Sequence, residues 1–302
     1  MSESIENLQH QIVTAAELHS VVRTMKALAA AGISQYEHAV VSLYDYYRSV
    51  ELGLSVCIRQ LSDGAPVETL PLRKPPAGVI VFGSDQGLVG QFNLSLVQFC
   101  MGKIQVIPEG KAIQAVGERM GTEWQSAGVE PAGRYDLPIS VAGIRPLVNR
   151  LLVDMERQRD MGKMGDVYVF HNRLTGGAGY EPVMQRLLPL AETWEEKISG
   201  LSWPGKQRPE IIGGAASAGM ALIREYLFVA LYKSCAESLA AENASRLAAM
   251  QHAEKNIEQL SGELVQAYHQ RRQEEIDEEL SDILSGVEAL VRRGVNQDQQ
   301  NG

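Results

Sequence analysis

The placement of proline constrains this chain more than any other feature. All 12 prolines fall between Pro66 and Pro209, so both flanks are proline-free. A proline removes a backbone donor and clashes with the preceding turn, which a long helix interior cannot tolerate. The flanks therefore predict long helices and the middle a turn-rich domain. The expected divisions are an N-terminal helix over 1–65, a central domain over 66–209, a C-terminal helix over 210–293, and a polar tail over 294–302, GVNQDQQNG, expected to be disordered.

Periodicity supports this division. Tyr36, Val40, Leu43, Tyr47, Val50, Leu54, Cys57 and Leu61 recur at alternating steps of four and three, the spacing of a coiled-coil seam. Ile5, Leu8, Ile12, Leu18, Val22 and Met25 extend a weaker stripe upstream. In the C-terminal flank, Met250, Ala253, Ile257, Leu260 and Leu264 predict a seam, as do Ile276, Leu280, Ile283, Val287 and Leu290. Between them the steps pass through Tyr268 and Arg272 as four and four, a local shift of register. Helices this long need a partner, and each flank can supply it for the other. Because the chain returns through a folded middle, the two are expected to pair antiparallel.

The middle alternates strand and helix signals. Gly78–Phe82, Ala112–Val116, Asp166–Phe170 and Val183–Leu190 read as strands, and Asn93–Met101 and Ile144–Arg159 as helices. The expected fold class is α/β: a long antiparallel coiled coil of the end helices plus a central Rossmann-like domain.

Composition removes several function classes. The net charge of −9 argues against a general nucleic-acid binder, which needs a basic face. The cysteines, Cys57, Cys100 and Cys235, are odd in number and form no CxxC, so a disulfide framework is not expected. The opening MSESIENLQHQ reads as neither a signal nor a transit peptide. No run approaches the roughly 18 apolar residues of a membrane span.

The most suggestive motif is Gly83-Ser84-Asp85-Gln86-Gly87-Leu88-Val89-Gly90, after a strand and before a helix. A phosphate cradle would sit in such a place. The spacing is not GxGxxG, and no Gly-Lys-Ser/Thr follows, so a structural turn that lets backbones approach closely is the stronger reading. Gly176-Gly177-Ala178-Gly179 reads as a flexible loop. GxSxG, HExxH and paired Cys/His spacings are absent. The run Glu274, Glu275, Asp277, Glu278, Glu279 makes a poor metal site, because neighbouring helix positions diverge around the axis. No catalytic residue, metal or cofactor is expected.

Three segments, in order, carry a resemblance to a known family. The C-terminal helix, YLFVALYKSCAESLAAENASRLAAMQHAEKNIEQL from Tyr226 and LVQAYHQRRQEEIDEELSDIL from Leu264, resembles the gamma subunit of F-type ATP synthases. Ile276, Glu279, Ser285 and Gly286 match that family's terminal pattern, with Asp277 and Val287 departing. Ser84–Asn93 resembles its Ser/Thr-Asp-Arg-Gly-Leu-Cys-Gly-Gly-x-Asn, departing at Gln86, Val89 and Gln91, and Thr24–Ala31 matches its N-terminal segment. Gly32, Ile33, Ser34 and Gln35 stand where the family carries Lys and nearby Arg, and the Trp203–Pro209 stretch reverses a charge at Arg208.

The resemblance implies a central-stalk rotor without nucleotide chemistry of its own. Its coiled coil would stand inside a ring of alpha and beta subunits, and its α/β domain would sit beside the epsilon subunit and the membrane c-ring. It places Met25, Lys26, Arg246, Arg272, Gln273 and Glu279 against the lever loops of the catalytic subunits, and Lys206, Gln207 and Arg208 against the membrane ring. It implies a peripheral position on the cytoplasmic face of a bacterial plasma membrane. Two other readings compete: a coiled-coil adaptor that never rotates, and a nucleotide-dependent enzyme built on the α/β domain. The adaptor explains the seams but not the three-part match. The enzyme lacks phosphate-binding and catalytic residues.

Overall fold

The computed structural model describes residues 4–61, 75–107, 110–176, 179–190, 192–205 and 209–298. The chain forms two bodies, Met1–Lys26 with Met250–Gly302, and Ala27–Ala249.

The N-terminal flank is two helices, α1 (Ile5–Ser42) and α2 (Tyr44–Leu61). The single helix expected there is interrupted at Leu43 without any proline. The Ser42 hydroxyl donates back to the Ala39 carbonyl at 2.9 Å, and the Leu43 amide turns to the Val40 carbonyl at 3.2 Å. Side-chain back-bonding of this kind competes with the helical ladder and bends it. The buried positions of these helices follow a stricter heptad than the apolar residues alone suggest. Leu8, Ala15, Ala29, Tyr36, Val50 and Cys57 are all buried, with Val22 and Leu43 half-buried in the same series. Leu18, expected in the seam, is 51% exposed. The alanines let the helices approach closely, and the companion heptad position runs Ile5, Ile12, His19, Lys26, Ile33, so two polar residues lie in the seam.

In the body of Ala27–Ala249, β1 (Ala77–Phe82), β2 (Lys111–Val116), β3 (Gly133–Tyr135), β4 (Val167–Thr175) and β5 (Gly179–Leu188) form one sheet in the order β3-β2-β1-β4-β5. The first four are parallel; β5 runs antiparallel beside β4. The apolar run of β1 is buried at every residue, as a central strand covered on both faces must be. Val79 and Val81 meet α3 (Phe92–Ile104) and α4 (Glu118–Ser126) through Leu96, Cys100, Met120 and Trp124. Ile80 and Phe82 face the opposite core, with Ile144, Val148 and Leu152 of α5 (Val141–Asp160) and Leu231, Cys235 and Leu239 of the C-terminal helix. The four expected strands and two expected helices are present; α4, β3 and α6 (Glu192–Ser199) were not foreseen. Three residues make β3, too few for a period-two pattern, and α4 carries an internal Gly121. Of the glycine cluster, Gly179 pairs with Thr175 at the β4–β5 turn; residues 177–178 lie outside the described residues.

The C-terminal helix α7 runs unbroken from Ala215 to Asp298, into the stretch expected as a disordered tail. One 18-residue stretch of it is apolar enough to cross a membrane by length and composition, with a mean hydropathy of 1.2, which counting uninterrupted apolar residues did not register. A third of that stretch is buried, and elsewhere in the helix Cys235 and Ala241 are buried too.

In the other body α1 and α7 pair antiparallel: Gln9 bonds Tyr268 at 3.0 Å, while Lys26 bonds Glu254 at 2.5 Å. The α7 seam is Met250, Glu254, Ile257, Ser261, Leu264, Tyr268 and Arg271, all buried or half-buried at unbroken steps of four and three. Leu260, expected in this seam, is 50% exposed, and Arg272 is exposed beside it. The anticipated register shift therefore does not occur within the paired segment. Ile276, Leu280, Ile283 and Val287, expected to continue the seam, are 47 to 63% exposed. Near the start of α1, Gln9 bonds Tyr268, and Ile276 to Val287 lie further along α7.

Candidate functional site

The motif after β1 turns its polar groups inward. The Ser84 amide donates to Asn93 Oδ1 at 3.0 Å, and Asn93 Nδ2 donates to Ser84 Oγ at 2.8 Å. The Asp85 carboxylate accepts the Glu118 amide at 2.9 Å and the Leu137 amide at 3.1 Å. Glu118 opens α4, where unpaired amides attract an anion; here the chain's own carboxylate takes that place. Gly117 (φ +109°) must remain without a side chain, since a Cβ there would stand 2.6 Å from the Ser84 carbonyl oxygen. The Ser245 hydroxyl of α7 donates to the Val89 carbonyl at 2.6 Å. The motif thus ties β1, α3, α4 and α7 together.

Beside it lies a cleft of about 370 Å³ lined by Gly32, Gln35, Asp85, Ile139, Glu242 and Arg246. Arg246 bonds Glu242 at 2.6 Å, with 14% and 8% of their side chains exposed. Burial pushes the Glu242 carboxyl above the usual carboxylate range, and Arg246 opposes the shift. Of the candidate partner residues, Arg246 is therefore engaged within its own helix rather than projecting. At Gly32 a Cβ would stand 2.8 Å from Asn243 Oδ1, so the departure from the family pattern is matched by a close approach of α7.

In the body of residues 1–26 and 250–302, Met25 and Lys26 are half-buried. Lys26 reaches across the seam to Glu254; the bond, followed by the nearby charges of His19 and Arg23, holds that carboxyl below its usual range. One heptad earlier, His19 Nε2 faces Glu258 Oε1 at 3.6 Å. Arg272, Gln273 and Glu279 are exposed, on the stretch of α7 beyond its pairing with α1. Arg272, Ile276, Glu279 and Ile283 fall at steps of four, three and four, on one face. An apolar stripe flanked by directed polar groups is the anatomy of a partner-binding face. Neighbouring Arg271 is bonded to Glu274 at 2.9 Å. Lys206, Gln207 and Arg208 lie outside the described residues.

Reading the apolar residues alone missed His19, Glu242, Glu254 and Glu258. For His19 a signal was present: it stands seven residues from Ile12 and from Lys26 in the heptad series.

A family model described as ATP synthase matches residues 4–290. Among curated proteins the chain is similar to the ATP synthase gamma chain of Polynucleobacter asymbioticus, 24% identical over 95% of this chain and 99% of that one. Against the ATP synthase gamma chain of Parafrankia sp. it is 25% identical over 96% and 99%. Among solved structures it resembles a chain of the Euglena gracilis mitochondrial ATP synthase in rotational state 3, with a TM-score of 0.62, 17% identity, and 95% and 94% of the two chains covered. A chain from the central stalk and c-ring of the Tetrahymena thermophila mitochondrial enzyme gives a TM-score of 0.54 at 18% identity, covering 77% of this chain and 99% of that one.

Proposed function

We infer the working of this chain from its membership: it belongs to the ATP synthase gamma-chain family, and it is the central-stalk rotor subunit of such a complex. It couples transmembrane ion flow to ATP synthesis or hydrolysis in the surrounding subunits by rotating among them. The observation that carries the reading is the unpaired face of α7, where Ile276, Leu280, Ile283 and Val287 are exposed. So much contiguous apolar surface needs a cover, and a ring of alpha and beta subunits around the helix supplies it.

Within that ring, Arg272, Gln273 and Glu279 meet the lever loops from the exposed face. Met25, Lys26 and Arg246 contribute from positions that the chain's own contacts already hold. Exposed polar contacts suit a bearing, because each is weak enough to release at every step. The α/β domain, with Lys206, Gln207 and Arg208, meets the membrane c-ring and the epsilon subunit. The chain supplies torque and no catalytic group: the polar atoms of its glycine-rich loop are engaged by Asn93, Glu118 and Leu137. Its likeness to the gamma chains of Polynucleobacter asymbioticus and Parafrankia sp. supports a place on the cytoplasmic face of a plasma membrane, peripheral and held there by the complex.

Assembly with the alpha, beta and epsilon subunits of its own source tests this. A probe fixed to the α/β domain should rotate on ATP addition, and the isolated chain should give no heat with ATP in calorimetry. A complex that hydrolyses ATP while the probe stays still would establish the adaptor instead. Micromolar ATP binding by the chain alone would overturn the non-catalytic reading.

A further inference from the structure

We propose that His19 of α1 and Glu254 and Glu258 of α7 form a binding site for a divalent transition cation of the zinc type, joining the two helices. The three residues bring one imidazole nitrogen and two carboxylate oxygens within 4.8 Å of one another. Glu254 and Glu258 stand four apart, so they leave α7 on one face, and His19 meets them from the seam position between Ile12 and Lys26.

The His19 side chain is 34% exposed, but its Nε2 is sheltered and makes no hydrogen bond, an arrangement that costs free energy unless something else engages the nitrogen. Its nearest carboxylate oxygen, Glu258 Oε1, is at 3.6 Å, too far for a hydrogen bond. A nitrogen and an oxygen bound tetrahedrally to one zinc ion, each at about 2.0–2.1 Å, stand roughly 3.3 Å apart. The observed gap is thus close to the one a shared ion would set. The Glu258 side chain is 62% exposed and can swing inward freely. Glu254 is held from outside the site by the Lys26 ammonium on Oε2 at 2.5 Å, an orienting contact of the kind that fixes ligands in metal centres.

The surroundings choose the metal. Lys26 and Arg23 both act on Glu254, so the cluster offers little net negative charge to an ion held by electrostatics alone, such as magnesium or calcium. Zinc gains from the imidazole nitrogen as well. Water completes its shell.

The test uses the whole 302-residue chain, titrated with zinc in a calorimeter and with cobalt in a spectrophotometer. One equivalent should bind, cobalt should show the visible bands of a low-symmetry site, and excess magnesium should not displace either ion. His19→Ala should weaken binding at least tenfold. Glu258→Gln, at an exposed side chain that leaves folding undisturbed, should do the same, whereas His252→Ala should leave binding unchanged. Zinc should raise the thermal midpoint of the parent and not of His19→Ala. Absence of saturable binding by the folded parent, or binding that survives both His19→Ala and Glu258→Gln, would overturn the site.

Discussion

Ser84 and Asn93 hold each other across nine residues of chain, the Ser84 amide donating to Asn93 Oδ1 at 3.0 Å and the Asn93 amide nitrogen to Ser84 Oγ at 2.8 Å. Both residues are buried, so neither group has water to fall back on. Asn93→Ala removes both bonds and strands the Ser84 amide, which costs about 1–3 kcal/mol. Urea unfolding should show that loss as a lower midpoint with an unchanged slope.

A partly buried pair sets part of the acid stability. Burial works against the charge of Glu237, but the bond from His171 at 2.8 Å, with Lys233 and Arg173 nearby, outweighs it and holds the carboxyl below its usual range. A lowered carboxyl stabilises the fold above its unfolded pKa, about 4.3, and that contribution fades as pH falls through the folded value. Glu237→Gln should therefore be about 1–3 kcal/mol less stable at pH 7, with the gap closing below about pH 4. Glu242, raised by burial, becomes less costly on acidification in both proteins and cancels from the difference. Paired unfolding curves at pH 7 and pH 3 measure the effect; a constant gap would show that Glu237 acts by packing alone.

The arginines of α7 should separate into two kinds. Arg246→Ala leaves Glu242, 8% exposed, buried without its partner, and should destabilise the isolated chain by about 3 kcal/mol. Arg272→Ala with Gln273→Ala removes exposed groups and should leave the isolated chain within about 0.5 kcal/mol of the parent. In the assembled complex that pair should slow or uncouple turnover, since each lost bond to a charged group is worth roughly 1.5–3 kcal/mol. ATP turnover and ion pumping measured together decide the point. Both unchanged at normal assembly would remove these two residues from the bearing.

The apolar face of α7 makes the opposite demand. Ile276→Asp with Ile283→Asp changes residues that are 47% and 63% exposed, and the isolated chain should keep its helix content and thermal midpoint. Assembly with the alpha and beta subunits should fail, read as loss of the chain from the complex on size exclusion. Normal assembly of this variant would show that the ring does not rest on the stripe.

Much of the architecture was legible because it follows from short-range rules. The confinement of proline to the middle fixes where uninterrupted helices can run, and the apolar runs at Gly78–Phe82 and Asp166–Phe170 can be satisfied only in a sheet covered on both faces. The motif from Ser84 to Asn93 and the pattern at Ile276, Glu279, Ser285 and Gly286 were enough to indicate the family.

What stayed hidden depends on residues far apart in the chain. His19 and Lys26 are polar, so the apolar pattern passed over them in favour of Leu18 and Met25. They belong in the seam only because Glu258 and Glu254, more than two hundred residues later, stand opposite them. Gly32 looked like a weak point in a helix, and it is the surface on which Asn243 packs. Ile276 to Val287 read as seam because amphipathic periodicity shows that a face will be covered and not by what. The helix itself, its period and its apolar face were determined by the sequence. What only the tertiary pairing decided is the register between α1 and α7, which sets Lys26 against Glu254 and His19 against Glu258, because the register of two helices is fixed by the contacts between them and not by either pattern alone.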